Sequence, residues 1–170
     1  MKQILPIGLI LLTFFSYGQS LENRTSKLIT AKYAGIYSYG ADIEKGRTGN
    51  ISVFPETDTT ILFYVDVNRG APSYNMGALY GRVKIINGKG TFYTKLDSSY
   101  NGCKWAFLFS KSMLSLRTIG EYYDCGFGQA VYVDGDFEKI SSKIPVNFED
   151  MEGHSLPFKT TTPENYNKVK

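Results

Sequence analysis

The two cysteines have the most distinctive spacing of any chemically active residues in this chain, at Cys103 and Cys125. A redox or metal site needs closely spaced cysteines or further soft ligands, and the chain contains only these two. An even cysteine pair in an exported chain favours a bond over free thiols. The spacing therefore predicts a structural disulfide, worth on the order of 3 kcal/mol through the loop that it closes.

Cys125 opens the run Cys125-Gly126-Phe127-Gly128, whose glycines suit either an anion-binding loop or a backbone kink. Anion-binding loops usually lead into a helix, whereas residues 129–132 have the pattern of a strand. The glycines therefore predict a kink or bulge beside the disulfide.

Asp134 and Gly135 follow, and they predict a hairpin turn between strands at 131–133 and 137–140. The acids of this stretch lack the twelve-residue spacing of an EF-hand loop, so they are interpreted as solvated turn residues.

Catalytic groups are otherwise scarce. The single histidine, His154, lies in a polar stretch, and no nucleophile-elbow sequence accompanies it. The 16 acids allow many carboxylate pairs, but a sequence does not show which of them meet in space. No catalytic, cofactor-binding or metal-ligating residue is predicted, and the chain is expected not to be an enzyme.

The aromatic content points more towards binding. The chain has 13 tyrosines and 11 phenylalanines, which suit strands and are too many to bury with every hydroxyl satisfied. Tyrosines at strand ends supply contact area and a hydrogen bond to a binding partner, although ordinary surface tyrosines are the alternative. The residues expected to take part in recognition are Tyr37, Tyr39, Tyr122 and Tyr123.

Short strands must position these residues, because a hydrophobic period of two dominates the chain. In the stretch 60–68, Ile61, Phe63, Val65 and Val67 share one face. Asn87-Gly88 marks a tight hairpin turn. About eight short strands joined in sequence predict an all-β fold, a single antiparallel meander curled into a sheet or barrel with one disulfide. A Greek-key sandwich is the main alternative.

The N terminus predicts export. Lys2, an apolar core at 4–15 and small residues before Gln19 have the layout of a signal peptide, and the core is too short to span a membrane. The mature chain is therefore expected to be periplasmic or extracellular and not an integral membrane protein. The predicted segments are a signal peptide at 1–18, a polar lead-in at 19–32, a β-barrel-like domain at 33–145, and at 146–170 a C-terminal edge segment with a hairpin between Phe148 and Phe158 and a frayed tail.

Charge argues against nucleic-acid binding. The formal net charge is +3, and the basic residues are scattered singly rather than clustered.

The motif resembles that of small, mostly uncharacterised exported bacterial domains. In that pattern a Gly-x-Tyr strand precedes a strand with a cysteine and then Cys-Gly-Phe-Gly-x-x-Val-x-x-Asp-Gly-x-(Phe/Tyr). The resemblance implies a compact β-barrel of the periplasm or cell surface and assigns no active-site residues. A looser likeness to periplasmic lysozyme inhibitors rests on size, export, β content and one disulfide. The matching residues, within roughly 33–140, are Gly35, Tyr37, Cys103, Cys125, Gly126, Phe127, Gly128, Val131, Asp134, Gly135 and Phe137.

The sequence therefore predicts an exported, non-enzymatic binding module, without a cofactor, for an unknown protein or cell-envelope component. Inhibitor and immunity proteins are of this type. One alternative is a lipocalin-like carrier, which needs a hollow barrel for a small apolar ligand. The other is a hydrolase with two facing carboxylates.

Overall fold

The computed structural model describes residues 25–96, 98 and 101–166, so the predicted signal peptide lies outside the described residues. None of the helices in the described part of the chain has the length and apolar character needed to cross a membrane. A 3₁₀ helix, Ile29–Tyr33, precedes the strands. These are β1 (Gly35–Tyr39), β2 (Thr48–Pro55), β3 (Thr60–Asn68), β4 (Met76–Lys84), β5 (Lys89–Thr94), β6 (Cys103–Phe109), β7 (Met113–Tyr123), β8 (Gly135–Ser141), β9 (Asn147–Glu149) and β10 (Ser155–Pro157), followed by the short helix α1 (Pro163–Tyr166).

Eight strands form one antiparallel sheet in the order β4-β3-β2-β1-β8-β7-β6-β5. Strands that are consecutive in the chain pair with one another, except that β1 joins β8 and β4 does not join β5. The sheet curls until β4 and β5 lie side by side, which nearly closes a barrel. The predicted all-β meander is confirmed, and the Greek-key sandwich is not the fold.

Large aromatic side chains fill the interior. Trp105, Phe107 and Phe109 of β6 point inward and are buried, as their alternation predicts. The ring centroid of Phe63 on β3 is 4.9 Å from that of Phe107 and 5.0 Å from that of Phe92 on β5. Burial of each such side chain stabilises the fold by about 1.5–3 kcal/mol. Aromatic rings therefore occupy the space that a carrier would reserve for its ligand.

A second apolar cluster lies on the outer face of the sheet, under the C-terminal segment. Tyr64 and Tyr80 stack on Phe148, with centroids 4.7 and 4.6 Å apart, and Phe158 stacks on Phe54 at 5.4 Å. The hairpin predicted between residues 148 and 158 is present as β9 and β10. It forms its own small sheet over this outer face, so the prediction of an edge segment is wrong.

Residues 160–166, predicted to be frayed, take a defined conformation against the same cluster. The hydroxyl of Tyr80 donates a hydrogen bond to the carbonyl of Thr161 at 2.7 Å, and the ring of Tyr166 lies 5.5 Å from that of Tyr80. Arg82 on β4 forms an ion pair with Glu164 of α1. Residues 160–166 pack against the sheet because Tyr166 extends the outer cluster. Local periodicity does not reveal this contact.

The predicted strand at Val131–Val133 is wrong, and Asp134-Gly135 is not a hairpin turn. The Asp134 carboxylate instead accepts hydrogen bonds from the backbone N–H and the hydroxyl of Thr118, both at 2.7 Å. Both valines are buried, so their alternation reflects an extended loop packed against the core. Gly135 is the first residue of β8.

Candidate binding site at an open seam of the barrel

The gap between β4 and β5, here called the seam, begins at a tight turn. Asn87 and Gly88 both have positive φ, 51° and 78°, as the predicted hairpin turn requires. Ile86 and Lys89 then form one β-bridge, with N–H···O distances of 2.8 and 3.0 Å. Among the described residues no further bridge joins β4 to β5. The predicted turn is therefore confirmed, but its two strands separate after a single bridge.

The edge of β4 that faces the seam carries unpaired backbone groups. The N–H of Ile85 donates towards β3, whereas the carbonyl of Met76 points away from β3 and accepts from the loop before β8. Backbone groups of successive residues in a strand point to alternate sides. Ala78, Tyr80 and Arg82 therefore direct their N–H and C=O groups into the seam. Within the described part of the chain, no backbone hydrogen bond reaches these groups across it.

The edge of β5 that faces the seam also carries unpaired backbone groups. The carbonyl of Gly88 accepts a hydrogen bond from Phe109 of β6 at 2.8 Å, so alternate residues from Gly88 onward face β6. Thr91 and Tyr93 lie between them and direct their backbone groups into the seam. No hydrogen bond from the described residues occupies those groups. The seam thus has two free strand edges facing each other.

Aromatic rings form the floor of the seam. Gly77 and Gly81 of β4 have no room for a Cβ atom, because a ring lies against each of them. The ring of Phe127 covers Gly77, and those of Phe63 and Phe92 cover Gly81. Aromatic rings therefore close the wall of the barrel here, while the β4 backbone groups that face the seam remain unpaired.

Residues 125–128, here called the clasp, close the far end of the seam. The disulfide between Cys125 and Cys103 ties the clasp to β6, which confirms the predicted bond. The backbone N–H of Gly128 donates to the carbonyl of Met76 on β4 at 2.9 Å. The clasp therefore bridges the gap that β4 and β5 leave open.

The other two clasp residues explain why the motif has its composition. Gly126 has a φ of 72°, which glycine adopts without strain. Phe127 points under β4, and its ring centroid is 6.0 Å from that of Trp105. Residues 125–128 therefore change the direction of the backbone beside the disulfide and hold the edge of β4.

Two adjoining pockets run along the outside of the seam. The one nearer the clasp has a volume of about 520 Å³ and includes Leu96 and Gly126. The other has a volume of about 350 Å³ and is bounded on one side by Glu164 of α1. Tyr80 and Thr94 line both, so the pockets form one continuous groove, here called the seam groove.

Exposed aromatic residues flank the groove beyond β5. Tyr93 is 51% exposed, and its ring meets that of Tyr122 edge-on at 5.9 Å. The Nζ atom of Lys104 lies 5.3 Å from the centroid of Tyr122, and Tyr123 is exposed beside it. Tyr122 and Tyr123 thus lie where the sequence expects recognition residues, and their role remains a prediction. Tyr93 is not among the residues that the sequence predicts for recognition, although its alternation with the buried Phe92 marks it as outward-facing.

Burial contradicts a recognition role for Tyr37 and leaves little surface for Tyr39. Tyr37 is 1% exposed, and its hydroxyl donates to the carbonyl of Tyr33 at 2.7 Å. Burial also raises the pKa of Tyr37. The ring of Tyr39 packs edge-on against Phe137 at 4.6 Å. Both side chains point inward because alternate residues of β1 face the core.

A separate pocket of about 380 Å³ contains His154. One oxygen of Asp150 accepts the backbone N–H groups of Glu152 and His154, both at 2.9 Å. The other oxygen is 3.2 Å from Nδ1 of His154. These bonds, led by the backbone N–H of His154, lower the pKa of Asp150. They close the turn between β9 and β10, so we interpret the cluster as a turn cap.

Asp66 and Asp136 do not form the carboxylate pair that the hydrolase alternative requires. Burial raises the pKa of Asp66 on β3, and its carboxylate accepts a hydrogen bond from Asn50. Hydrogen bonds from Ser115 and Arg117 lower the pKa of Asp136. These carboxylates bind neutral or basic partners, whereas a hydrolase needs two acids that face each other across a cleft.

The chain matches no family model, and neither a curated protein nor a solved structure shows significant similarity to it. The function must therefore be inferred from the seam groove and its surroundings.

Proposed function

We propose that the protein is an exported, non-enzymatic binding module that holds an extended segment of a partner protein in the seam groove. The observation that carries the proposal is the pair of unpaired strand edges in the wall of the barrel. A free edge offers N–H and C=O groups to which a further strand adds, and natural proteins usually pair or cover such edges.

The groove has the length and lining that a short strand requires. The unpaired part of the β4 edge, from Ala78 to Arg82, spans about 13 Å at roughly 3.3 Å per residue, enough for about five residues of extended peptide. Main-chain hydrogen bonds to the edge contribute about 1 kcal/mol each. The aromatic floor and the tyrosine rim add apolar contacts.

The edge of β5 is the more accessible of the two. On the β4 side, Pro163 and Glu164 of α1 line the groove. On the other side, Thr91 and Tyr93 are exposed, and their backbone groups face the seam. We therefore place the incoming segment against β5, with its outward side chains beside the exposed tyrosines.

A disulfide in an all-β fold is consistent with export, and the predicted signal peptide would deliver the chain to the periplasm or the extracellular space. A stapled, rigid sheet that captures a strand suits an inhibitor or immunity protein, because the binding surface needs little ordering on association.

The test uses a proline that removes one donor without breaking the fold. Thr91→Pro deletes an N–H that faces the seam, and proline is tolerated at such edge positions. Thr91→Ala is the matched control, since it removes the side chain and keeps the N–H. Random octapeptides displayed on phage are selected on the oxidised wild-type protein, and the enriched peptides are then titrated against all three proteins.

We expect enriched peptides to bind the proline variant about 2- to 12-fold more weakly than the alanine variant, the cost of one lost hydrogen bond. Near-UV circular dichroism checks that both variants keep the native packing. Failure to enrich any peptide, or equal binding by the two variants, would overturn the proposal.

A further inference from the structure

One end of the barrel is covered by the 3₁₀ helix and lies opposite the clasp. Because the sheet is antiparallel, its odd-numbered strands begin at this end and its even-numbered strands finish at it. The ring centroids of Tyr33 in the helix and Phe109 at the end of β6 are 4.8 Å apart. The backbone N–H of Ile29 donates to the carboxylate of Asp58, in the turn between β2 and β3, at 2.9 Å. The helix and the strand ends around it form one surface, here called the basal face, which comprises residues 27–33, 56–59, 84–89, 108–113 and 138–143.

Seven lysines lie on the basal face, although the sequence spreads them over four separate stretches. The Nζ atom of Lys139 on β8 donates to the backbone carbonyl of Lys32 in the 3₁₀ helix at 3.1 Å. The backbone N–H of Lys139 donates to the carbonyl of Ser112, which places the turn after β6 beside them. No ion pair among the described residues includes any of the seven. The fold therefore gathers charges that the sequence shows as isolated. They are Lys27, Lys32, Lys84, Lys89, Lys111, Lys139 and Lys143.

The basal face includes three acids, too few to balance its lysines. The Nε atom of Arg82 on β4 already binds Glu56 at 2.8 Å. Asp58 accepts the backbone N–H of Ile29, and Glu138 is exposed on β8. Among the described residues, the basal face therefore has a net positive charge, which attracts an anionic partner.

Exposed aliphatic side chains lie among the lysines. Ile29, Ile86 and Ile140 are each more than half exposed, and each has a lysine within three residues on both sides. Ile86 and the half-exposed Leu108 line a shallow hollow together with two of the lysines. Single exposed aliphatic residues are ordinary on a protein surface. Their repeated placement between lysines gives the basal face both positive charge and apolar contact area.

We propose that the basal face binds the surface of an anionic lipid bilayer, independently of strand capture in the seam groove. The lysines contact headgroup phosphates, and the three isoleucines enter the boundary between headgroups and acyl chains. Charge complementarity selects an anionic surface, and the isoleucines favour a lipid over a nucleic acid. Nucleic acids are bound largely through arginines and stacked aromatic rings, and the basal face contains no arginine and no exposed aromatic ring among its described residues.

The test measures binding of the oxidised wild-type protein to lipid vesicles by flotation. One set of vesicles is pure phosphatidylcholine, and the other contains about 30% phosphatidylglycerol. Each lysine close to an anionic surface strengthens binding by about fivefold. We therefore expect binding to the anionic vesicles to be at least about 10-fold tighter at about 50 mM salt, and most of the difference to disappear at about 500 mM. Equal binding to both sets at low salt would overturn the proposal.

Two double variants remove the same charge from opposite ends of the barrel. Lys84→Gln/Lys89→Gln changes the basal face and should weaken binding to the anionic vesicles by about 10- to 30-fold. Lys45→Gln/Arg69→Gln, at exposed positions in two loops of the clasp end, is the matched control and should weaken it by less than about twofold. Equal losses in the two variants would show that net charge alone drives binding, and the assignment to the basal face would be wrong.

The isoleucines distinguish a lipid from other polyanions. Ile29→Ala/Ile86→Ala keeps every lysine and should weaken binding to the anionic vesicles by about 3- to 10-fold at low salt. Near-UV circular dichroism checks that each variant keeps the native packing, which is expected because all the substituted side chains are exposed. Unchanged vesicle binding by this variant, or displacement of the wild type by duplex DNA at equal phosphate concentration, would indicate a general polyanion site and overturn the lipid assignment.

Discussion

Removal of the Cys103–Cys125 disulfide is expected to destabilise the protein by about 3 kcal/mol. The bond joins positions separated by 22 residues. Closing a loop of that size restricts the unfolded chain by about 3 kcal/mol at 25 °C. For a domain of about 150 residues, each kcal/mol lowers the melting temperature by about 2–4 °C. The variant Cys103→Ala/Cys125→Ala should therefore melt about 6–12 °C below the oxidised wild type.

Alanine is the right replacement because both cysteines are buried, and serine would bury a hydroxyl without a partner. Unfolding is followed by circular dichroism with heat and with urea. At a slope of about 2 kcal/mol per molar urea, the midpoint should fall by about 1.5 M. A reductant should lower the wild-type midpoint by a similar amount and leave that of the double variant unchanged.

Two results would refute this reasoning. A double variant that melts within about 2 °C of the oxidised wild type would show that the clasp does not constrain the chain. If the reduced wild type kept its melting temperature but lost peptide binding, the motif would act in recognition and not in stabilising the fold.

Two further predictions concern the C-terminal segment. Phe158→Ala should lower the free energy of unfolding, measured in urea, by about 3–5 kcal/mol, because the ring is buried in the outer cluster. The control Val146→Ala, at an exposed position, should change it by less than about 0.5 kcal/mol. A loss below about 1 kcal/mol for Phe158→Ala would contradict the docking of this segment. Asp150→Asn should destabilise the protein at pH 7, because hydrogen bonds from the backbone N–H of His154 and its neighbours depress the pKa of Asp150, so that the ionised carboxylate stabilises the fold above about pH 4. That contribution is lost as the pH falls through the depressed pKa, so urea titrations from pH 7 to 3 should converge for wild type and variant, and a constant difference would be inconsistent with it.

The inward faces of the strands could be predicted because each depends only on local alternation. In β3, Ile61, Phe63 and Val65 are buried as their period of two indicates. The opposite face carries Tyr64, Asp66 and Asn68, and nothing in their pattern indicates that Tyr64 is only 3% exposed. The C-terminal segment covers Tyr64. The hydrophobic pattern of a strand does not show whether a segment from elsewhere in the chain packs over it.

The seam could not be predicted for a similar reason. Asn87-Gly88 correctly indicates the turn, but continued pairing of β4 and β5 depends on what lies beneath them. Phe127, from a loop remote in sequence, fills the space under Gly77. Two glycines in β4 were the available signal, since glycine in a strand often marks a close approach by another group.

The clasp has a mechanical consequence. Seven interfaces between neighbouring strands are hydrogen-bonded. Among the described residues, the eighth is spanned by a turn at one end and by the clasp at the other, whose disulfide holds β6 and whose Gly128 N–H bonds to Met76 of β4. The seam is therefore the one place where the barrel can widen by bending of the clasp and the turn, without loss of hydrogen bonds between paired strands. The proposed capture of a strand would therefore widen the seam while the other seven interfaces keep their register.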